Sequence, residues 1–185
     1  GTVRDTTAAV QYFELAAEQG DVDAQAMLGT LYYESSGPLR DYNLAVKWLT
    51  SAANQDNSQA QFVLAKLYHQ GVGVTQDYAE AALRYQQAAN KGHPGAHFSI
   101  AAMFERGEGL RKDLAEAQKW YGLAAELDTP EAMFDLGHRL FRGDGLPKDV
   151  NAALDWLLKA AKEDVAVAQF AAAQIYADET GTHFD

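Results

Sequence analysis

Residues 41–73 read DYNLAVKWLTSAANQDNSQAQFVLAKLYHQGVG, a stretch that contains one complete structural unit. Asp41 is a good helix N-cap, because its carboxylate can accept the unpaired backbone N–H groups of a first turn. The apolar residues after it share one face of a helix: Ala45, Trp48, Leu49, Ala52 and Ala53. A second helical segment follows the polar residues 56–58 and ends at the glycines of GVG. The stretch therefore predicts a helix–turn–helix hairpin.

The hairpin recurs every 36 residues with no insertion or deletion along the chain. The capping aspartate belongs to a column with one member per repeat: Asp5, Asp41, Asp77, Asp113, Asp149 and Asp185. Pairs of alanines keep the same period: Ala16–Ala17, Ala52–Ala53, Ala88–Ala89, Ala124–Ala125 and Ala160–Ala161. A fixed period of this size is the signature of a repeat array, in which each unit buries a face against its neighbours. We therefore expect residues 1–185 to form a single all-α array of about five stacked hairpins.

Aromatic residues also recur at fixed positions of the repeat, in three columns. The columns contain Tyr12, Trp48, Trp120 and Trp156; Tyr32, Tyr68, Phe104 and Tyr176; and Phe62, Phe98, Phe134 and Phe170. Small alanines allow two helix axes to approach closely, and large rings can fill the remaining space. We therefore interpret these aromatic residues as core, and not as a cofactor site.

Two segments carry a family resemblance. Residues 60–93 read AQFVLAKLYHQGVGVTQDYAEAALRYQQAANKGH, and residues 132–161 read AMFDLGHRLFRGDGLPKDVNAALDWLLKAA. Both resemble Sel-1-like repeats, relatives of the tetratricopeptide repeats, and the resemblance extends over essentially the whole chain. It implies an all-α, right-handed α/α superhelical solenoid of helix–turn–helix repeats, with half-units at both ends of residues 1–185. One departure is Ser35, which stands where later repeats have glycine and predicts a different bend in the first loop.

The resemblance also implies a function, which is to bind another protein rather than to catalyse a reaction. It favours an adaptor or scaffold that holds a partner protein or peptide in its concave groove. It also favours a bacterial source and a periplasmic or secreted location. Two alternatives remain open: an immunity protein that neutralises a secreted toxin, and a structural spacer within a longer solenoid.

The amino-acid composition limits the classes of partner that the chain is expected to bind. The net charge of −11 repels phosphate backbones and argues against nucleic-acid binding. No run of 18 apolar residues occurs, so we expect no membrane insertion. Residues 37–112 nevertheless carry eight basic and six acidic side chains, whereas both flanking regions are strongly acidic. The middle of the chain could attract an acidic segment of a partner, or the acidic ends could simply keep the array soluble.

No pattern of catalytic or metal-binding residues stands out. His93 and His97 have a helical metal-ligand spacing, but no third ligand lies nearby in the sequence, and Pro94 favours a helix start there. The GVG, GEG and GDG segments lack the Lys-Ser/Thr that follows in a phosphate loop. We therefore expect no catalytic residue, no metal and no cofactor.

The second helix of each hairpin is expected to line the concave side and to carry the partner-binding residues. The candidates share the solvent face of that helix: Lys66, Gln70, Ser99, Arg106, Asp135, His138 and Arg142. Arg106 and Arg142 occupy the same position of adjacent repeats, which indicates a basic patch suited to carboxylates. This face varies between repeats, as both a specific binding surface and an idle solvent face would.

Overall fold

The computed structural model of the protein describes residues 3–127 and 130–180, without the side chains of residues 3–8, 94, 131 and 178–180. The described residues form ten α-helices and one 3-10 helix, Gly37–Leu39, and contain no β-strand. The α-helices are α1 Val3–Glu18, α2 Val22–Glu34, α3 Tyr42–Ala53, α4 Ser58–Gln70, α5 Tyr78–Asn90, α6 Pro94–Arg106, α7 Leu114–Leu127, α8 Pro130–Arg142, α9 Val150–Lys162 and α10 Ala166–Thr180. The predicted all-α fold of helical hairpins is confirmed.

The 36-residue period fixes where helices begin. The second helices α2, α4, α6, α8 and α10 start at residues 22, 58, 94, 130 and 166. The first helices α3, α5, α7 and α9 each start one residue after an aspartate of the repeated column. Each of these four aspartates accepts backbone N–H groups of the first turn; Asp41 Oδ1, for example, lies 2.9 Å from the nitrogen of Asn43 and 3.0 Å from that of Leu44. The predicted caps are therefore present in these four repeats.

The first member of the aspartate column behaves differently. Helix α1 already begins at Val3, so Asp5 lies inside the helix and does not start it. The side chain of Asp5 and the whole of Asp185 lie outside the described residues. The prediction that one aspartate starts a helix in every repeat is therefore wrong for the first repeat.

The first inter-repeat loop differs from the others, as the sequence predicts. Gly71, the residue that caps the C-terminus of α4, adopts the left-handed conformation, with φ +68°, whereas Ser35, which caps α2, is extended, with φ −61°. The short 3-10 helix then carries Pro38 in its first turn. The left-handed conformation is unfavourable for a residue with a β-carbon, so the backbone at Ser35 is extended and the loop after α2 has a different conformation.

Two compact units make up the chain, residues 1–96 and residues 97–185. In the first unit α2 packs against α1 and α3, and α4 packs against α3, α5 and α2. In the second unit α8 packs against α7 and α9, and α10 packs against α9 and α8. Within each unit, contacts therefore join neighbouring helices, as expected for a repeat array.

A glutamine near the start of several second helices links the two helices of its hairpin. Gln25, Gln61 and Gln169 occupy the same position of the repeat. Their Nε2 atoms donate to the carbonyls of Ala17, Ala53 and Ala161 over 3.0, 3.2 and 3.1 Å. Each acceptor belongs to the last turn of a first helix, where carbonyls lack partners within the helix. This role of glutamine was not predicted from the sequence.

The small residues of the repeat are the most completely buried. Alanines 45, 52, 81, 88, 117, 124, 125, 153 and 160 are inaccessible or nearly so. Where two helices approach most closely, glycine replaces alanine: a Cβ atom on Gly137 would lie 2.8 Å from Leu157 Cγ. The alanine columns therefore do hold the helices close together, as predicted.

The aromatic columns are less buried than the sequence predicts. Trp48 is buried, but Trp120 and Trp156 are half-buried against the core of the second unit. Tyr12, Phe170 and Tyr176 are 75%, 66% and 47% exposed, so the prediction that they are core is wrong. These three lie on α1 and α10, which within their own units pack chiefly against one neighbour each, α2 and α9 respectively. A periodic column thus carries the same residue type into positions that have fewer neighbours.

Candidate functional site

Each unit has a cleft beside an inter-repeat loop, and the two clefts occupy equivalent positions two repeats apart. The first-unit loop cleft has a volume of about 390 Å³ and is lined by Tyr33, Glu34, Arg40, Tyr42, Lys66, Gln70 and Val72. The second-unit loop cleft has a volume of about 480 Å³ and is lined by Glu105, Arg106, Lys112, Leu114, Gly143, Gly145, Leu146 and Pro147. The period maps Tyr33 onto Glu105, Glu34 onto Arg106, Arg40 onto Lys112 and Tyr42 onto Leu114.

The structure places two predicted site residues, Lys66 and Gln70, together in the first-unit loop cleft. Lys66 Nζ lies 5.2 Å from the centre of the Tyr33 ring and 5.9 Å from that of Phe62. The Tyr33 hydroxyl donates to Gln70 Oε1 over 3.3 Å. The ring faces therefore position the ammonium group by cation–π attraction without neutralising its charge.

The two predicted arginines of the second unit are exposed at the ends of their helices. Arg106 ends α6 and lines the second-unit loop cleft, where its Nη1 lies 3.9 Å from Glu108 Oε2. Arg142 ends α8, next to the cleft residue Gly143, and forms no ion pair with any described residue. The long, exposed ion pair of Arg106 with Glu108 contributes little to stability. Because both guanidinium groups are exposed, a carboxylate of another molecule can reach them.

The other three predicted residues are half-buried on α6 and α8. The Asp135 carboxylate accepts Arg139 Nε at 2.9 Å, so an internal partner already engages it. The His138 ring lies 5.6 Å from the Phe134 ring, measured between centroids. Ser99 is half-buried on α6. These three residues lie on the same two helices as the exposed arginines, and their side chains are only partly accessible.

The most connected polar residue of the second unit is Arg139, which the sequence analysis did not single out. Its Nη1 donates to Glu105 Oε2 over 3.2 Å, and its guanidinium carbon lies 5.1 Å from the Tyr121 ring centre. The Tyr121 hydroxyl donates to the same Glu105 oxygen over 2.7 Å. Burial, and then this hydrogen bond, raise the pKa of Tyr121 above its ordinary value. The cluster thus joins α6, α7 and α8 around one carboxylate.

A signal for Arg139 was present in the sequence. The other members of its column are apolar, namely the half-buried Leu31 and the buried Leu67, Met103 and Ile175. A charged residue in a core column needs partners, because an unpaired buried charge is costly. The i,i+4 pair with Asp135 supplies one of them. A charged residue in an otherwise apolar column, with an acidic residue four positions before it, therefore indicates a charge that is paired inside the protein.

The two histidines with metal-ligand spacing have separate surroundings. In the first unit, His93 Nε2 lies 3.0 Å from Gln59 Oε1, and its ring stacks on Phe62 with centroids 4.1 Å apart. In the second unit, the His97 ring lies 5.8 Å from that of Trp120. Among the described residues there is no group of three or more His, Cys, Asp or Glu that could hold a metal ion. None of the described helices is long and apolar enough to span a bilayer.

Comparison with known proteins identifies the family to which these repeats belong. The Sel1 repeat family matches residues 1–21, 22–57, 58–93, 94–128 and 130–165. Curated protein sequences gave no match. Among solved structures, a protective antigen of uropathogenic Escherichia coli strains with an SLR fold is 34% identical, with a TM-score of 0.79. That match covers 92% of this chain and 36% of the antigen, so the chain spans about a third of its relative's length.

Two further solved structures are similar. A Sel1 repeat protein from Oxalobacter formigenes is 29% identical, with a TM-score of 0.76 over 98% of this chain and 77% of that one. Cysteine-rich protein B of Helicobacter pylori is 22% identical, with a TM-score of 0.56 over 71% of this chain and 96% of that one, and shares the fold. Since the family matches span most of the sequence, this chain belongs to the Sel1 repeat family, whose members are generally non-enzymatic scaffolds for protein–protein interactions.

Proposed function

We propose that this chain is a scaffold that holds an acidic segment of a partner protein against the exposed ends of its second helices. We propose further that residues 1–185 act as one array, and that the source is bacterial. The bacterial relatives support the latter. The observation that carries the binding proposal is the contrast between two kinds of arginine in the second unit.

Arg139 is internally satisfied, since Glu105 and Asp135 accept its hydrogen bonds. Arg106 and Arg142 are exposed, and their charges remain available. Guanidinium groups bind carboxylates through two parallel hydrogen bonds, which suits recognition of Asp, Glu or a peptide C-terminus. An array whose overall charge is negative would also repel acidic chains elsewhere, which helps to orient such a partner.

The test is a double charge reversal, Arg106→Glu with Arg142→Glu, in the full chain. A matched control is Lys119→Glu with Lys162→Glu, which makes the same charge change on the first helices α7 and α9. Partner proteins captured from cells by the wild-type chain would be identified and titrated against all three proteins. We expect the arginine variant to bind about 10-fold or more weakly, because desolvated charge pairs contribute to affinity, and the control to bind as wild type does.

The dependence of binding affinity on salt concentration provides a second test. Affinity of the wild type is expected to fall as ionic strength rises, because exposed charges are screened. Equal affinities of the wild type and the arginine variant would contradict the proposal. A chain that captures no partner would favour the structural spacer instead.

A further inference from the structure

The first unit contains a second cleft, at the other end of the helix pair that forms its loop cleft. This apolar cleft has a volume of about 480 Å³ and is lined by Asp23, Ala26, Met27, Thr30 and Leu31 of α2, by Asn57, which caps α4, and by Gln59. The early residues of α2 thus meet the early residues of α4. The loop cleft joins the late residues of the same helices, Glu34 and Gln70. The two helices therefore run side by side in the same direction, with a cleft at each end of the groove between them.

The loop cleft carries an excess of positive charge. Its wall includes the cations Lys66 and Arg40 and one carboxylate, Glu34. Arg40 Nε donates to the carbonyl of Ser35 over 2.6 Å, and its guanidinium carbon lies 5.9 Å from the Tyr42 ring centre. Neither cation forms an ion pair with a residue in the described part of the chain. Both side chains are thus positioned, and their charges are not neutralised.

The equivalent cleft of the second unit contains its own anion. There Glu105 occupies the position of Tyr33, and its carboxylate binds Arg139 and the Tyr121 hydroxyl. In the first unit the position of Arg139 is taken by Leu67, so both the internal cation and the internal anion are absent. The one carboxylate in the wall of the first-unit loop cleft, Glu34, forms no ion pair with Lys66 or Arg40, so both cations keep their charges there. This difference makes an external carboxylate the complementary ligand for the first-unit loop cleft.

The apolar cleft has a mainly apolar wall, and its one charged residue, Asp23, already accepts a hydrogen bond from Asn57 Nδ2 over 3.2 Å. Met27 is 55% exposed there, beside the half-buried Leu31. Methionine is flexible and polarizable, and it adapts to differently shaped apolar partners. An exposed methionine that lines a cleft with a mainly apolar wall offers a contact surface for an apolar side chain.

We propose that the groove between α2 and α4 binds a linear peptide segment of a partner protein through one apolar and one acidic side chain. The apolar side chain enters the Met27 cleft, and the carboxylate pairs with Lys66 and Arg40. Along α2 the clefts are separated by the seven residue steps from Met27 to Glu34, or about 10 Å at ~1.5 Å per step. Along α4 the eleven steps from Gln59 to Gln70 span about 16 Å. An extended peptide advances about 3.3 Å per residue, so the two side chains are three to five residues apart.

This inference rests on the proposed scaffold function but uses residues separate from Arg106 and Arg142, so the two can be tested independently. The probe is a phage-displayed library of linear 12-residue peptides, selected on the immobilised full chain. We expect the enriched peptides to contain an apolar residue and an Asp or Glu three to five positions apart. Synthetic copies would then be titrated by fluorescence anisotropy, together with copies in which the acid is replaced by its amide.

Variants of the chain complete the test. Lys66→Glu and Met27→Glu should each weaken binding at least 10-fold, and the amide peptides should lose a similar factor. Lys66→Arg should retain binding. Lys47→Glu makes the same charge change on the surface of α3 and should stay within twofold of wild type. The Arg106→Glu, Arg142→Glu double variant should also bind these peptides normally. Thermal melts of every variant separate loss of binding from loss of folding.

Three results would overturn the inference. One is a selection that enriches no peptide. Another is enriched peptides that lack the acidic residue or bind Lys66→Glu as tightly as wild type. The third is a concentration-dependent dimer that Met27→Glu abolishes, since a second copy of the chain would then occupy the groove.

Discussion

Gly29 lies directly against Leu49: a Cβ atom on Gly29 would lie 2.6 Å from Leu49 Cγ. Three repeats later, Gly137 and Leu157 have the same relationship. In the two repeats between them the period pairs Ala65 with Tyr85 and Ala101 with Tyr121. The small residue is therefore glycine where the facing residue is leucine, and alanine where it is tyrosine. A flat ring leaves room for one methyl group, and a branched leucine does not.

Gly29→Ala tests this relationship. The added methyl group overlaps Leu49, so we expect a loss of about 1–3 kcal/mol in the free energy of unfolding. Leu49→Phe should restore part of that loss when the two changes are combined, and a denaturant double-mutant cycle would measure the coupling. Gly122→Ala is the control: it lies within α7, and its nearest neighbour is Trp156 Cζ2 at 3.9 Å. Gly122→Ala should raise the free energy of unfolding by about 0.5–1 kcal/mol, because glycine is unfavourable in a helix interior. Purely additive effects at residues 29 and 49 would contradict the pairing.

The glutamine column predicts stability changes of opposite sign. Gln61→Met removes one of two hydrogen bonds to the Ala53 carbonyl, which also accepts the backbone N–H of Asp56 over 3.1 Å, and should lower the free energy of unfolding by about 0.5–1.5 kcal/mol. Met133 holds the same position in the fourth repeat, where no glutamine is present. Met133→Gln should raise the free energy of unfolding by about 0.5–1.5 kcal/mol, because the new side chain supplies a donor to the Ala125 carbonyl. Urea titrations of both variants check the pair. A Met133→Gln protein no more stable than wild type would show that the fourth hairpin lacks the geometry for this bond.

Asp164 adopts the left-handed conformation, with φ +62°, at a position that is glycine in other repeats, such as Gly92. Left-handed backbone is unfavourable for a residue with a β-carbon, and an acid near a helix C-terminus also opposes the helix dipole. Asp164→Gly should therefore raise the free energy of unfolding by about 0.5–1 kcal/mol. Asp164→Ala retains the β-carbon and should bring no such gain. A shift in thermal midpoint for glycine but not for alanine would identify the backbone as the cause.

Tyr32 makes stability depend on pH in the alkaline range. Burial, then the hydrogen bond to Glu14 and the negative charges of Glu14 and Asp41, raise the pKa of Tyr32 from 10.0 to about 12. The folded state therefore holds the phenolic proton more tightly than the unfolded state does. Its contribution is complete below pH 10 and is lost as the pH rises from 10 towards 12. Denaturant midpoints of Tyr32→Phe should fall less steeply than those of the wild type over this window. Parallel curves for the two proteins would rule out this source of pH dependence.

The sequence was sufficient for the features that depend on local chemistry. The period, the capping by Asp41, Asp77, Asp113 and Asp149, and the unusual loop at Ser35 follow from which residues satisfy a helix end. Burial of individual rings could not be read in the same way. Trp48 and Tyr12 share a column, yet one is buried and the other largely exposed, because burial depends on what lies on the far side of the helix.

The candidate site shows the same division. Positions on the second helices could be assigned from the period, and the structure places Lys66 and Gln70 in one cleft. Which charges are already engaged could not be assigned, because Arg139, Arg106 and Arg142 are all basic residues on the same type of helix. Only the contacts with Glu105 and Asp135 distinguish the internally paired arginine from the two exposed ones.

The neighbour-to-neighbour packing within each unit has a kinetic consequence. When a helix touches chiefly the helices before and after it, one hairpin can open without disrupting distant contacts. Amide hydrogen exchange should then occur in steps, with each hairpin exchanging as a block at its own rate. Proteases would cut first at the block that opens most readily, so limited digestion should release fragments whose lengths differ by about one repeat.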